Sequence, residues 1–205
     1  MNAIILSLDG VLIDSSKELH YRSLNQALSE VGSTITISEQ DRSRYDGLTT
    51  RDKLKLLEQE KGLPNHLHDQ VWNLKQNFTY KYLDLFLEEK PEDYFYLYQI
   101  KREANIPFAL CTNSIRSTAN VILNTLKVRA LFDCVVAGDE VANGKPSLDM
   151  HFEAAEYLNI LPADTLVLDD SETTLAAAQK ACFQTLKING PVDLKFNLKE
   201  LFRVL

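Results

Sequence analysis

What is scarce in this sequence sets the first limits. Only three cysteines occur, Cys111, Cys134 and Cys182. They are odd in number and lack metal-ligand spacing, so neither a disulfide framework nor a zinc site is expected. Each sits beside apolar residues and reads as a reduced, buried thiol. There is no run of Lys and Arg to track a phosphate backbone, and the formal net charge is -7, so nucleic acid is not an expected partner. No apolar stretch is long enough to span a bilayer, and the start lacks the basic and long apolar parts of a signal peptide. The expected location is therefore the cytoplasm, with no membrane partner. Neither internal repeats nor low-complexity segments are found.

What remains is an ordinary composition: 205 residues, 45% hydrophobic and 25% charged, enough for one substantial core and a smaller lobe. The stretch Ala3 to Ser15 organises the rest. Its apolar run reads as a buried strand that stops at a tight turn at Gly10. Ser7 and Asp9, two apart on a strand, would emerge on one face where it ends. Strand ends of this kind are where open α/β sheets bind ligands.

Asp14-Ser15-Ser16 is a capping cluster for a helix from Lys17 to Val31, which Gly32 ends. A short extended piece is expected at Thr34–Ile37, then a polar helical segment after Ser38 that breaks at Gly47. A third helix starts at Thr49 or Thr50 and stops at Gly62-Leu63-Pro64. The longest helix runs from Leu67 to about Glu89, with Trp72, Phe78, Tyr82 and Phe86 along a packing face. Strand and helix then alternate. Strands are expected at Ile106–Cys111, Cys134–Ala137, Thr165–Leu168 and Gln184–Ile188, with helices from Pro91, at about Thr118–Leu126, Leu148–Leu158 and Thr173–Ala181. That alternation predicts a doubly wound parallel sheet, an α/β fold. Tyr94 to Tyr98 is unusually aromatic and is expected to be partly buried, or else to touch another subunit; monomer and homodimer both remain open.

Four places line up at the expected strand ends: Ser7/Asp9, Thr112/Asn113/Ser114, Lys145 and Asp169/Asp170. Hydroxyls and amides near a helix start suit a phosphate, a lysine neutralises an anion, and clustered carboxylates suit magnesium. Each has a plain alternative: a turn cap for Asp9, a turn hydroxyl for Thr112, a solvated lysine, and acids that cap the following helix. The four histidines, His20, His66, His68 and His151, read as surface residues.

Asp9-Gly10, Thr112-Asn113, Lys145-Pro146 and Asp169-Asp170-Ser171, in that order, resemble the four motifs of the haloacid dehalogenase-like phosphohydrolases, in particular the phosphoglycolate phosphatase and β-phosphoglucomutase group. The pattern along the chain puts hinges at Asp14–Ser16 and Glu88–Pro91, and the resemblance implies a Rossmann-like core at 1–15 and 90–205 and an inserted all-helical cap at 16–89. It implies that Asp9 is the general acid and base, with its backbone carbonyl on Mg2+. Thr112, Asn113 and Ser114 would hold the phosphoryl oxygens, Lys145 would bridge phosphate and acids, and Asp169 and Asp170 would meet the metal. In the cap, Thr50 and Arg51 are candidate contacts for a small phosphorylated metabolite, although solvated helix residues are the plainer reading.

One position departs from the pattern. The family's attacking aspartate is Ser7 here. A serine hydroxyl supplies neither the acyl-phosphate carboxylate nor an anionic metal ligand, and no histidine lies near it in sequence to act as base. Impaired classical activity is expected. A natural loss of the chemistry, a substitution made to trap substrate, and a route in which Asp9 directs water at phosphorus all fit. The alternative function is a catalytically inactive binder of a phosphorylated metabolite or a protein partner.

Overall fold

Ala3-Ile4-Ile5-Leu6 is apolar at every position, as a strand covered on both faces must be. In the computed structural model these four residues form strand β1 (Ala3–Leu6), and all are buried. The structure describes residues 1–14, 16–87 and 91–203. The chain divides into two compact units, 1–14 with 88–205, and 15–87. Of the expected hinges, Ser15 and Glu88 to Lys90 lie outside the described residues.

The second unit is helical. Helix α1 (Ser16–Glu30) is followed by a short α2 (Arg42–Tyr45), by α3 (Thr50–Lys61) and by the long α4 (His68–Phe86). Its core joins Leu24, Ala27 and Leu28 of α1, Tyr45, Leu54 and Leu57, and Val71 of α4, with Trp72 and Phe78 packed against it. Tyr82 stacks on Phe78 at 5.9 Å. The piece expected at Thr34–Ile37 forms no strand and joins no sheet among the described residues. The Asn25 amide meets its backbone instead, donating to the Ile37 carbonyl at 3.0 Å and accepting from the Ile37 N–H at 2.8 Å. A side chain thus supplies what a neighbouring strand would have supplied.

The first unit holds β2 (Phe108–Thr112), β3 (Cys134–Ala137), β4 (Thr165–Asp169) and β5 (Gln184–Lys187), in the order β3-β2-β1-β4-β5 with every pairing parallel. The expected α/β fold, fifth strand included, is therefore found. Helices α5 (Phe95–Ala104), α6 (Arg116–Thr125), α7 (Asp149–Leu158), α8 (Glu172–Lys180) and α9 (Pro191–Phe202) belong to this unit. On one face of the sheet Ile5, Ala109, Cys111, Val136 and Val167 cluster with Met150, Ala154 and Ala155 of α7 and Leu175 and Ala178 of α8. The alternate residues Ile4, Leu6, Phe108, Leu110, Val135, Leu166 and Leu168 are buried as well. Both faces are covered, as an inner parallel sheet requires.

Several expectations need correction. Strand β1 ends at Leu6, so Ser7 and Asp9 lie beyond it, in a tight loop closed by Gly10 N–H to Ile13 O at 2.8 Å and Ile13 N–H to Leu8 O at 3.1 Å. Cys111 and Cys134 are buried thiols, whereas Cys182 is exposed. It occupies a left-handed position, φ 67°, just beyond α8, where the backbone and not side-chain burial decides its place. The aromatic stretch divides: Tyr94, Tyr96 and Leu97 are buried, while Phe95 and Tyr98 are exposed. Helix α9 has no counterpart in the sequence reading. Gly190 and Pro191 at its start, with Leu194 and Leu198 buried one turn apart, are the signals that mark it.

Candidate functional site

In the order β3-β2-β1-β4-β5 the chain runs outward from β1 through β2 to β3, then crosses back to β4 on the other side of β1. The carboxyl ends of β1 and β4 therefore flank the switch point, where ligands bind in open α/β sheets. Leu6 pairs with Leu110 on one side and Leu168 on the other. The Ser7 N–H donates to the Leu168 carbonyl at 2.9 Å, which carries the β1/β4 contact one residue past the strand. The same register places Thr112 and Asp169 at the ends of their strands.

Lys145 enters this crevice from the loop after β3. Its Nζ donates to Ser7 Oγ at 2.7 Å and to Asp169 Oδ2 at 2.8 Å. The pair is shielded, with 10% of the Lys145 side chain and 2% of the Asp169 side chain exposed. Burial works against the ammonium, but the attraction and hydrogen bond of Asp169, with Asp9 behind, outweigh it and hold the Lys145 pKa above the ordinary lysine value. Asp169 Oδ1 accepts from the Ser171 N–H at 2.8 Å, so both oxygens of this carboxylate are engaged.

Asp9 gathers the β2 loop. Its Oδ2 accepts from Thr112 Oγ1 at 3.5 Å and from Ser114 Oγ at 3.3 Å, and its carbonyl accepts from Ser7 Oγ at 3.4 Å. Asp170 lies against Gly10. Gly10 has φ +75°, and a Cβ there would fall onto the Asp170 carboxylate, so any other residue would displace that acid. The structure thus brings Ser7, Asp9, Thr112, Ser114, Lys145 and Asp169 into one hydrogen-bonded group, with Asp170 at the Gly10 turn. The Asn113 side chain meets the Lys145 backbone: its Nδ2 donates to the Lys145 carbonyl at 3.0 Å and its Oδ1 accepts from the Lys145 N–H at 2.8 Å. Thr50 and Arg51 open α3 in the helical unit, where the Arg51 guanidinium stands 5.5 Å from the Trp72 ring centroid and 4.0 Å from Asp69.

Two groups were not among the sequence candidates. Arg116 opens α6 and grips Glu140, Nε to Oε1 at 2.7 Å, while its N–H donates to Asp139 at 2.7 Å. This clasp ties the loop after β2 to the loop after β3. His151, read as a surface residue, is 1% exposed and lies edge-on to Phe183, with ring centroids 6.3 Å apart. The helical period that put Met150 and Ala154 inside also carries position 151 inward. Burial, with Lys145 adding to it against a smaller pull from Asp169, pushes its pKa down from 6.5 to about 4. Among the described residues nothing hydrogen-bonds its Nδ1.

A stability prediction follows from the depressed imidazole. Between pH 6.5 and about 4 the unfolded chain binds a proton at this position that the folded chain refuses. Stability is therefore complete above pH 6.5 and is lost as the pH falls towards 4, by about 3 kcal/mol at about 1.4 kcal/mol per pH unit. His151→Gln should flatten that part of the acid limb. Urea midpoints of both proteins from pH 7 to 4 measure it, and parallel curves would show that His151 does not titrate in this way.

As a cradle for a divalent cation the acids are incomplete. Asp169 is committed to Lys145 and Ser171, and position 7 offers a neutral hydroxyl. Among the described residues no group of three His, Cys, Asp or Glu side chains is placed to hold a metal. What remains, the Asp170 carboxylate and the Asp9 carbonyl, suits magnesium in its usual manner, with a few protein oxygens completed by water and a ligand's phosphate. It is a partial donor set that fits the ion only with such help.

A phosphorylated carbohydrates phosphatase of Thermotoga maritima is 28% identical over 181 residues, 88% of this chain and 82% of that protein. A phosphoglycolate phosphatase of Aquifex aeolicus is 25% identical over 211 residues, 98% and 91% of the two chains. The crystal structure of a β-phosphoglucomutase from Clostridium difficile superposes with a TM-score of 0.82 at 20% identity, over 99% of this chain and 97% of that one, a likeness of fold. The family model for the haloacid dehalogenase-like hydrolases matches residues 4–188, and the chain belongs to that family.

Proposed function

We propose that this protein binds a small phosphate monoester, a phosphorylated sugar or related metabolite, at the β1/β4 switch point, and that its hydrolysis of that ester is severely reduced. The observation that carries the reading is the Ser7–Lys145–Asp169 chain of hydrogen bonds, 2.7 and 2.8 Å long, at the centre of the crevice. Relatives that act on phosphorylated carbohydrates and on phosphoglycolate support the class of ligand.

In this reading Lys145 neutralises a phosphoryl oxygen as a point cation, and the hydroxyls of Thr112 and Ser114 turn from Asp9 Oδ2 to donate to two others. Asp9 would, as the family resemblance implies, give a proton to a leaving oxygen when its own carboxyl is protonated. Asp170 and the Asp9 carbonyl would hold magnesium, which when bound draws charge from the phosphoryl group. Asp169 acts on the ligand through Lys145 and not as a metal ligand. By the family resemblance the helical unit would take the role of the cap, and Thr50 and Arg51 would be its candidate substrate contacts.

The test is a titration of inorganic phosphate, phosphoglycolate and several sugar phosphates, with magnesium present, followed by calorimetry and by phosphate release. At least one ester should bind at micromolar to millimolar concentration with almost no release. Turnover at roughly 1–10³ s⁻¹, the ordinary enzyme range, would contradict the proposal, as would failure of every ligand to bind.

A further inference from the structure

Lys145 is carried on a loop, yet the reading above requires its ammonium at one point between Ser7 and Asp169. A loop cannot hold a four-carbon side chain there unless its own backbone is held. The restraint comes from Asn113. The Asn113 side-chain amide and the Lys145 peptide groups form a reciprocal pair: Asn113 Oδ1 accepts from the Lys145 N–H at 2.8 Å, and Asn113 Nδ2 donates to the Lys145 carbonyl at 3.0 Å. A side-chain amide used this way copies one step of a β-ladder and fixes the orientation of the peptide groups on both sides of the Lys145 Cα.

The approach of the two loops is close enough to restrict a third residue. At Gly138 an added Cβ would stand 2.6 Å from the Asn113 carbonyl oxygen, and the Gly138 N–H donates to the Ser114 carbonyl at 3.0 Å. Asn113 is thereby seated against the β3 loop on its backbone side while its amide reaches Lys145.

We infer that Asn113 is a positioning residue: it fixes the backbone of Lys145 so that the ammonium meets Ser7, Asp169 and the bound phosphate. One amide donor and the amide oxygen of Asn113 are engaged on the Lys145 peptide groups, and the inferred role rests on that reciprocal pair. The inference rests on the proposed role of Lys145 towards phosphate, but its structural half can be read without any ligand.

Asn113→Ala removes both bonds. Asn113→Asp is nearly the same size and keeps the acceptor for the Lys145 N–H, but loses the donor and sets a second oxygen against the Lys145 carbonyl. Three readouts separate positioning from mere support: the NMR signal of the Lys145 ammonium nitrogen, inorganic phosphate affinity with magnesium present, and the unfolding midpoint. In the unaltered protein the ammonium protons, held by Ser7 and Asp169, should exchange slowly enough to be seen. Both variants should speed that exchange about tenfold or more and weaken phosphate about tenfold, the scale of one lost polar arrangement. A variant that melts earlier but keeps the Lys145 signal and the phosphate affinity of the unaltered protein would overturn the inference. Phosphate failing to bind the unaltered protein would remove the functional reading, while the ligand-free Lys145 signal would still decide the role of Asn113.

Discussion

Ser7→Asp is expected to raise phosphate release from a suitable monoester by on the order of 10³-fold or more. The reason lies in what surrounds the hydroxyl. A serine attacks phosphorus only after something takes its proton, and the nitrogen 2.7 Å away is an ammonium that donates to Ser7 Oγ. Asp169 and Asp9 keep it one, since together they overcome the burial that would discharge it. Lys145 therefore holds Ser7 as an acceptor and is a poor base at neutral pH. A carboxylate in the same place would accept the same hydrogen bond, would need no deprotonation, and would add an anionic oxygen to the partial magnesium set. Release of phosphate from a panel of monoesters, measured for both proteins with magnesium, checks this. Equal and robust rates would show that Ser7 or a route through Asp9 performs the chemistry unaided.

Lys145→Met should destabilise the folded protein by about 3–5 kcal/mol, because it leaves the Asp169 carboxylate buried without its cation. Asp169 is 1% exposed, and its remaining partner is the Ser171 N–H at 2.8 Å. The cost should belong to the orphaned acid and not to the pair as such. Lys145→Met combined with Asp169→Leu should thus recover much of the loss, since apolar replacements of buried ion pairs are often near neutral. Urea unfolding of the two single variants and the double variant gives the coupling directly. A single-variant loss below about 1 kcal/mol would mean that the pair is far better solvated than its exposure indicates.

The strands were legible because each is a short apolar run ending in polar residues, and the four motif positions were legible because parallel strands bring their carboxyl ends to one side of the sheet. Roles within the cluster were not. Asp169 and Asp170 are chemically identical in sequence, and only coordinates show that one is locked to Lys145 and Ser171 while the other rests on the Gly10 turn. Asn113 next to Thr112 suggests a ligand contact, whereas its amide is used on a backbone 32 residues away. Thr34–Ile37 has strand composition, yet the Asn25 side chain takes the Ile37 N–H and carbonyl. His151 reads as a surface residue in the sequence, yet it is buried, because a polar residue within a helix says nothing about which face the sheet covers. For Asp169 and Asn113 the deciding partner, Lys145, is distant in sequence, and single-chain periodicity carries no information about it.

The central claim is that one crevice beyond β1 and β4 receives a phosphate group through Lys145 and the β2 loop. A crystal structure determined with phosphate and magnesium supplied tests it most directly. The expected result is the anion within hydrogen-bonding distance of Lys145 Nζ and the Thr112 and Ser114 hydroxyls, with magnesium, where present, on the Asp170 side. Phosphate bound elsewhere, with Lys145 still enclosed by Ser7 and Asp169 alone, would contradict it.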